Sequence, residues 1–295
     1  MVLQVARQAF TWIRDGVLVN RMHVNAVAFA MTYWLFTKKV YRVGIGLEQL
    51  INFGFAKSGL SCAEKMALFS ADCGYPPDAQ FTGAIDQASA FYNELATMMA
   101  RSCTYFDGAI LLIRQLQELG ALNLITSAVE QEVLDTWAQS PDGLELSPYL
   151  TEILGKRPGF TKGHDHFAHV AKLAEGGDIF CIADAPAEIA MARQLSDQFH
   201  IVPIGFAYAV QKDDVIKAAA LAEALICDPD ATWRVPPPRK ISAGQLAVNA
   251  DRIYLPEAQE LVNDLQVAGA DFVVVGPAHS IMGALSSLLT RRQEP

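Results

Sequence analysis

The amino-acid sequence predicts an α/β protein: a doubly wound parallel sheet with an α-helical block inserted after the first strand. Two observations carry this prediction. After Cys103 short apolar runs alternate with amphipathic stretches, and between His23 and Cys103 apolar residues recur only at helical spacing. Strands linked by helices must cross over and run parallel, and such sheets gather their ligands at the carboxyl ends of the strands.

The elements follow in chain order. Ala9 to Ile13 supplies Phe10, Trp12 and Ile13 for a first strand, closed by the turn signal Asp15-Gly16. The helical block follows, with Phe91, Leu95, Met98 and Met99 on one face and Gly54, Gly59 and Pro76-Pro77 as breakers. Its aromatic and Met stripe, with Trp34 and Tyr92, reads as core or as the lining of a substrate pocket. Then come a helix from Gly108 to Leu119, a strand from Leu122 to Ile125 and a helix from Glu130 to Trp137. A helix from Asp165 to Leu173, a strand from Ile179 to Ile182, a helix from Ala187 to Leu195 and a strand from Ile201 to Ile204 continue the pattern. Asp213 to Leu225 predicts a helix, and Trp233 to Lys240 an extended connector, because three consecutive prolines fix φ and remove donors. The connector reads as a linker or as a polyproline ligand for a partner. Glu257 to Leu265, Phe272 to Val275 and Ile281 to Leu289 close the chain as helix, strand and helix.

Composition excludes several functions. With 23 basic and 32 acidic side chains the formal net charge is −9, which disfavours a nucleic-acid partner. No stretch reaches the ~20 apolar residues a spanning helix needs, and Arg7, Arg14 and Asp15 interrupt the start where a signal peptide would be apolar, so no membrane association is expected. The five cysteines form no CxxC pair, which points to a reducing, cytoplasmic compartment.

Three strand ends carry polar residues that a parallel sheet would bring to one edge. They are Arg14-Asp15 after the first strand, Thr126-Ser127 after the second, and Asp184 with Glu188 after the third. Two carboxylates, a hydroxyl pair and a lysine, Lys156 or Lys162, suit a magnesium-bound phosphate, because oxygen ligands hold the ion while a cation offsets anionic charge. Asp15 reads equally as a turn residue, and Asp184 as a helix cap. His164, His166 and His169 read as a zinc site or as polar residues at a pocket mouth or helix end. Lys38, Lys39 and Arg42 read as a solvated helix end or an anion-facing run, and Gly44-Ile45-Gly46 as a weak dinucleotide-loop likeness.

Taken in order, IRDGVLVN (Ile13 to Asn20), LITS (Leu124 to Ser127), Lys162 in TKGHDHF and IFCIADAPAE (Ile179 to Glu188) resemble the four motifs of the haloacid dehalogenase (HAD) superfamily. The likeness extends to FDGAILLIRQLQELG, to the helical block in the place of a cap, and to the C-terminal AGADFVVVGPAHSI. The resemblance implies a HAD-like, Rossmannoid core of residues 1–22 and 104–295, with 207–265 an unusual extension, and a helical cap of residues 23–103. It further implies a phosphorylated or anionic metabolite bound between core and cap. By the same likeness Asp15, Thr126 and Lys162 are the catalytic positions. Arg14, Ser127 and Lys156 are substrate-binding candidates, and Asp184 and Glu188 are candidate ligands of Mg²⁺.

One departure weighs against hydrolysis. The resemblance puts Ile13 where the family keeps its nucleophilic aspartate, and a hydrocarbon side chain cannot form a covalent intermediate or ligate the metal. Magnesium binding is therefore expected to weaken. Three functions stand: an anion-binding pseudoenzyme, an enzyme using Asp15 as general acid or base, and an interaction subunit, with a homodimer or protein partner open.

Overall fold

The computed structural model describes residues 7–41, 45–74, 79–246 and 248–276. Its elements are β1 (Ala9–Trp12), α1 (Met22–Tyr41), α2 (Leu47–Ala56), α3 (Cys62–Asp72), α4 (Ala79–Ala100), α5 (Ala109–Glu118), β2 (Leu122–Glu130), α6 (Gln131–Ala138) and α7 (Pro141–Leu146). They continue with β3 (Glu152–Lys156), α8 (His164–Ala174), β4 (Ile179–Ala183), α9 (Pro186–Gln194), α10 (Ser196–Phe199), β5 (Ile201–Ala207), α11 (Lys212–Cys227), α12 (Ala258–Val267) and β6 (Phe272–Val275). The chain divides into an α/β unit of Met1–Asn20, Thr104–Ala209 and Pro256–Pro295, and a helical unit of Arg21–Cys103 and Val210–Leu255.

The α/β unit is built on one sheet in the order β3-β2-β1-β4-β5-β6, with every pair of neighbours parallel. The sequence order of the strands reverses between β1 and β4, which leaves a crevice at their carboxyl ends. The two faces read directly from alternation along the strands. Phe10, Trp12, Phe180, Ile182 and Ile204 pack with Leu112 and Leu116 of α5 and Leu265 of α12. Ala9, Leu124, Leu154, Ile179 and Cys181 pack with Phe167 and Val170 of α8 and Ala192 of α9. Helices therefore cover both faces, as a doubly wound sheet requires. One polar side chain is tied into this core: buried Asn123 accepts from Trp12 Nε1 at 3.2 Å and donates to the Ile113 carbonyl at 3.1 Å. Both amide ends are thereby satisfied.

The helical unit has its own core. α1 is apolar on nearly all sides, and Val24 and Ala26 to Met31 are buried, as expected of a helix surrounded by others. The stripe in question is core: Phe91 and Met99 are fully buried, with Trp34 and Tyr92 packed against the same cluster. α3 starts at a capping box, in which the Glu64 amide donates to Ser61 Oγ and the Ser61 amide donates to Glu64 Oε2.

Several expectations change. β3 was not anticipated, because EILGK is short, charged at both ends and carries a glycine. β2 runs on to Glu130, past the expected end at Ile125, with a register shift between Thr126 and Glu130. Within 207–265, residues 210–255 group with the helical unit, and only 207–209 and 256–265 stay with the α/β unit. The proline connector is neither a free linker nor a free polyproline ligand. Trp233 packs on Phe91, with ring centroids 4.8 Å apart, and Arg239 stacks on Trp34 while donating to the Trp34 and Leu35 carbonyls at 2.7 and 3.0 Å. Arg42, Gly44, Pro76-Pro77 and Ile281 to Leu289 lie outside the described residues, as do the side chains of Lys38 and Lys39.

Candidate functional site

The site lies where β1 and β4 end. β1 pairs Trp12 with Ile125 of β2 and with Ile182 of β4, so Ile13, Thr126 and Ala183 come next in line across three strands. The Ile13 amide donates to the Ile182 carbonyl at 3.2 Å, which carries the pairing one residue beyond β1. Ile13, Thr126, Lys162, His166, Cys181 and Glu188 line one pocket, with Gly163, Phe167 and Met191.

Lys162 precedes α8 and reaches Glu188, in the first turn of α9, where the two form an ion pair between nearly buried side chains. Glu188 sits near the positive end of its helix, a favourable place for a carboxylate. Only its Oε1 meets Lys162, and Oε2 is buried without a partner. Asp184 stands between β4 and α9 and is partly exposed. Burial of most of its surroundings, with the Glu188 carboxylate adding repulsion, pushes its carboxyl up to about 8. Lys162 offsets only part of this, because it is held by Glu188.

After β1 the chain turns sharply. The Leu18 and Val19 amides both donate to the Arg14 carbonyl, at 3.0 and 2.9 Å, and Gly16 takes φ of +93°. Arg14 is buried and does not present its charge to a ligand. Its guanidinium donates twice to the Asp15 carboxylate, at 2.8 and 3.3 Å, and lies 5.0 Å from the centre of the Trp137 ring. Burial opposes the Arg14 charge, but Asp15 outweighs it and the pKa is raised.

The other candidates separate. Lys156 does not line the pocket: on β3, its side chain is 52% exposed and pairs with Glu130 at 3.3 Å. Ser127, within the extended β2, accepts from the Val129 amide at 3.2 Å and does not line the pocket. The three histidines do not converge. His164 is exposed beside Asp165, His169 meets Glu152 at 2.7 Å, and His166 is buried against the Gly155 carbonyl. Among the described residues no group of three or more His, Cys, Asp or Glu is arranged to hold a metal ion.

A magnesium ion needs less, since it keeps several waters and takes one or two carboxylates. Glu188, with an orphaned oxygen, and Asp184, raised first by burial and then by the Glu188 carboxylate, are the two acids that fit that demand. Ile13 adds no oxygen to the set. Nor does a substitute nucleophile stand out: burial holds the Cys181 thiol protonated, at about 12, so it is no thiolate. Of the three histidines read as a zinc site or as polar residues at a pocket mouth, His166 lines this pocket, and Cys181 is a pocket residue that sequence reading did not single out. Periodicity could have placed Cys181 on an inward face but gave no sign of a shared pocket.

No family model matches the chain, and no curated protein does. Solved structures do. A hydrolase from Pseudomonas syringae aligns over 95% of this chain and 99% of its own, at 14% identity and a TM-score of 0.57. A predicted phosphatase from Clostridium acetobutylicum aligns over 96% of this chain and 99% of its own, at 12% identity and a TM-score of 0.56. The chain has the HAD-like fold. Likeness at this level speaks for architecture, and the chemistry of a HAD-like core has to be argued from its own residues. No helix of the described residues is long and apolar enough to cross a membrane.

Proposed function

We propose that this HAD-like protein binds a phosphorylated or otherwise anionic small molecule at the carboxyl edge of its sheet, without turning it over through an aspartyl intermediate. The observation that carries the reading is Ile13, a hydrocarbon side chain lining the same pocket as Thr126, Lys162 and Glu188. Attack on phosphorus or carbon needs a lone pair, and Ile13 has none. Lys162 supplies the positive charge for the anion, and Thr126, the hydroxyl of the pocket lining, supplies a hydrogen bond.

Asp184 and Glu188 are the residues that would hold Mg²⁺. When bound, the ion supplies positive charge that offsets that of the ligand. Both oxygens of the Asp15 carboxylate are held by Arg14, which engages them within the protein.

The test is thermal unfolding with inorganic phosphate and magnesium, beside hydrolysis of p-nitrophenyl phosphate. Phosphate at 100 times its Kd is expected to stabilise the fold by about 2.7 kcal/mol, with no turnover above background. Ile13→Asp should tighten magnesium binding in calorimetry and bring slow, magnesium-dependent hydrolysis. Wild-type turnover with a trapped phosphoenzyme would overturn the reading, and unchanged magnesium affinity in Ile13→Asp would overturn the assignment of that position.

A further inference from the structure

Among the described residues, the basic side chains at the carboxyl edge of the sheet are Arg14, after β1, Lys156 and Arg157, where β3 ends, and Lys162, before α8. Arg14 is paired with Asp15, Lys156 with Glu130 and Lys162 with Glu188. Arg157 is exposed and has no carboxylate partner among the described residues. An incoming anion meets its charge unshared.

Local sequence fixes where that charge stands. Pro158 and Gly159 turn the chain, Pro158 by its restricted φ and Gly159 by taking φ of +69°. Arg157 and Phe160 close the turn with amide-to-carbonyl bonds in both directions, each 2.9 Å long. The turn lays the Arg157 guanidinium over the Phe160 ring, 4.4 Å from its centre, and that ring packs on His166 with centroids 4.8 Å apart. Burial, above all, holds the His166 imidazole down to about 4, and the charges of Lys162 and Arg157 add to that, so Arg157 stands beside the pocket that His166 lines. The ring contact consumes no N–H group, and the donor fork of the guanidinium stays open. A side chain ordered in advance loses little freedom on binding.

We propose that Arg157 is the residue that seats the ligand's anionic group, taking two of its oxygens through paired N–H groups while Phe160 holds the guanidinium in place. The inference rests on the anion-binding reading above and adds to it a residue, on a surface turn beside the pocket, that motif reading did not mark. Paired oxygens belong to phosphates and carboxylates alike, and a seat on the surface takes either without opening the pocket.

Calorimetric titration of the full chain with inorganic phosphate and with acetate, at low ionic strength, tests it, and the anion that binds names the group. Arg157→Met is expected to weaken that binding about tenfold or more. Arg157→Lys keeps the charge but not the fork and should recover little of the loss, and Phe160→Leu, which removes the ring, should cost about threefold. Because Arg157 is exposed, its variants are expected to unfold at the wild-type temperature, so a lost affinity reports on binding. Unchanged affinity in Arg157→Met would overturn this inference and leave anion binding standing. Wild-type affinity in Arg157→Lys would show that charge without the fork suffices and overturn the paired seat, and wild-type affinity in Phe160→Leu would overturn the part given to the ring. Binding of neither anion by the wild-type chain would overturn the anion-binding reading and this inference together.

Discussion

Gly16 and Asp184 occupy contiguous space: a Cβ on Gly16 would stand 2.6 Å from the Asp184 carboxyl carbon. Gly16 also takes φ of +93°, which side chains rarely adopt. The turn after β1 and the carboxylate after β4 are thus shaped against each other. We predict that Gly16→Ala lowers stability by about 3 kcal/mol, from backbone strain together with the displaced carboxylate. Urea unfolding measures it, and a loss below about 0.5 kcal/mol, typical of an unconstrained surface site, would show that the close approach is not a constraint.

The raised carboxyl of Asp184 sets a pH dependence with a definite sign. Its folded-state pKa, about 8, lies above the ordinary aspartate value of 3.8, so the native state binds more protons than the unfolded chain between those values. Its contribution is fully present below the lower value and is lost as pH rises toward about 8. We predict that Asp184→Asn flattens this slope and stabilises the protein at pH 8.5 by about 2 kcal/mol. That is less than the full linkage value, because the carboxyl keeps some solvent contact. Unfolding midpoints of the two proteins from pH 5 to 9 decide it, and parallel curves would refute the assignment.

The Lys162–Glu188 pair predicts a pattern across two variants. Lys162→Met leaves Glu188 charged, nearly buried and alone, and should cost about 3 kcal/mol. Adding Glu188→Leu removes the stranded charge, and the double variant should recover much of that loss. A double variant no more stable than the single one would place the effect in packing rather than in charge.

Much of the fold was legible before any coordinates. Phe10 to Trp12, Leu122 to Ile125 and Ile179 to Ile182 are short apolar runs between amphipathic stretches, and each is in a strand, because burial on both faces demands that composition. Glu152–Lys156 lies at the sheet edge with charged ends, so it lacks the signature. The periodicity of 213–225 announced a helix, but an apolar stripe does not say which core it joins, and α11 packs with α1 and α4.

The sequence by itself determined the chemistry of single positions: an isoleucine after the first apolar run, a threonine after the second, acids after the third, and lysines at 156 and 162. Those are covalent facts, and spacing along the chain orders them. Tertiary structure alone decided which of them meet. It seats Lys162 on Glu188 and sends Lys156 to Glu130, closes Arg14 over Asp15, and leaves Nδ1 of His166 buried without a partner. The physical reason is that charge, burial and hydrogen bonding depend on distances across the sheet, and parallel crossovers bring together residues far apart in the chain.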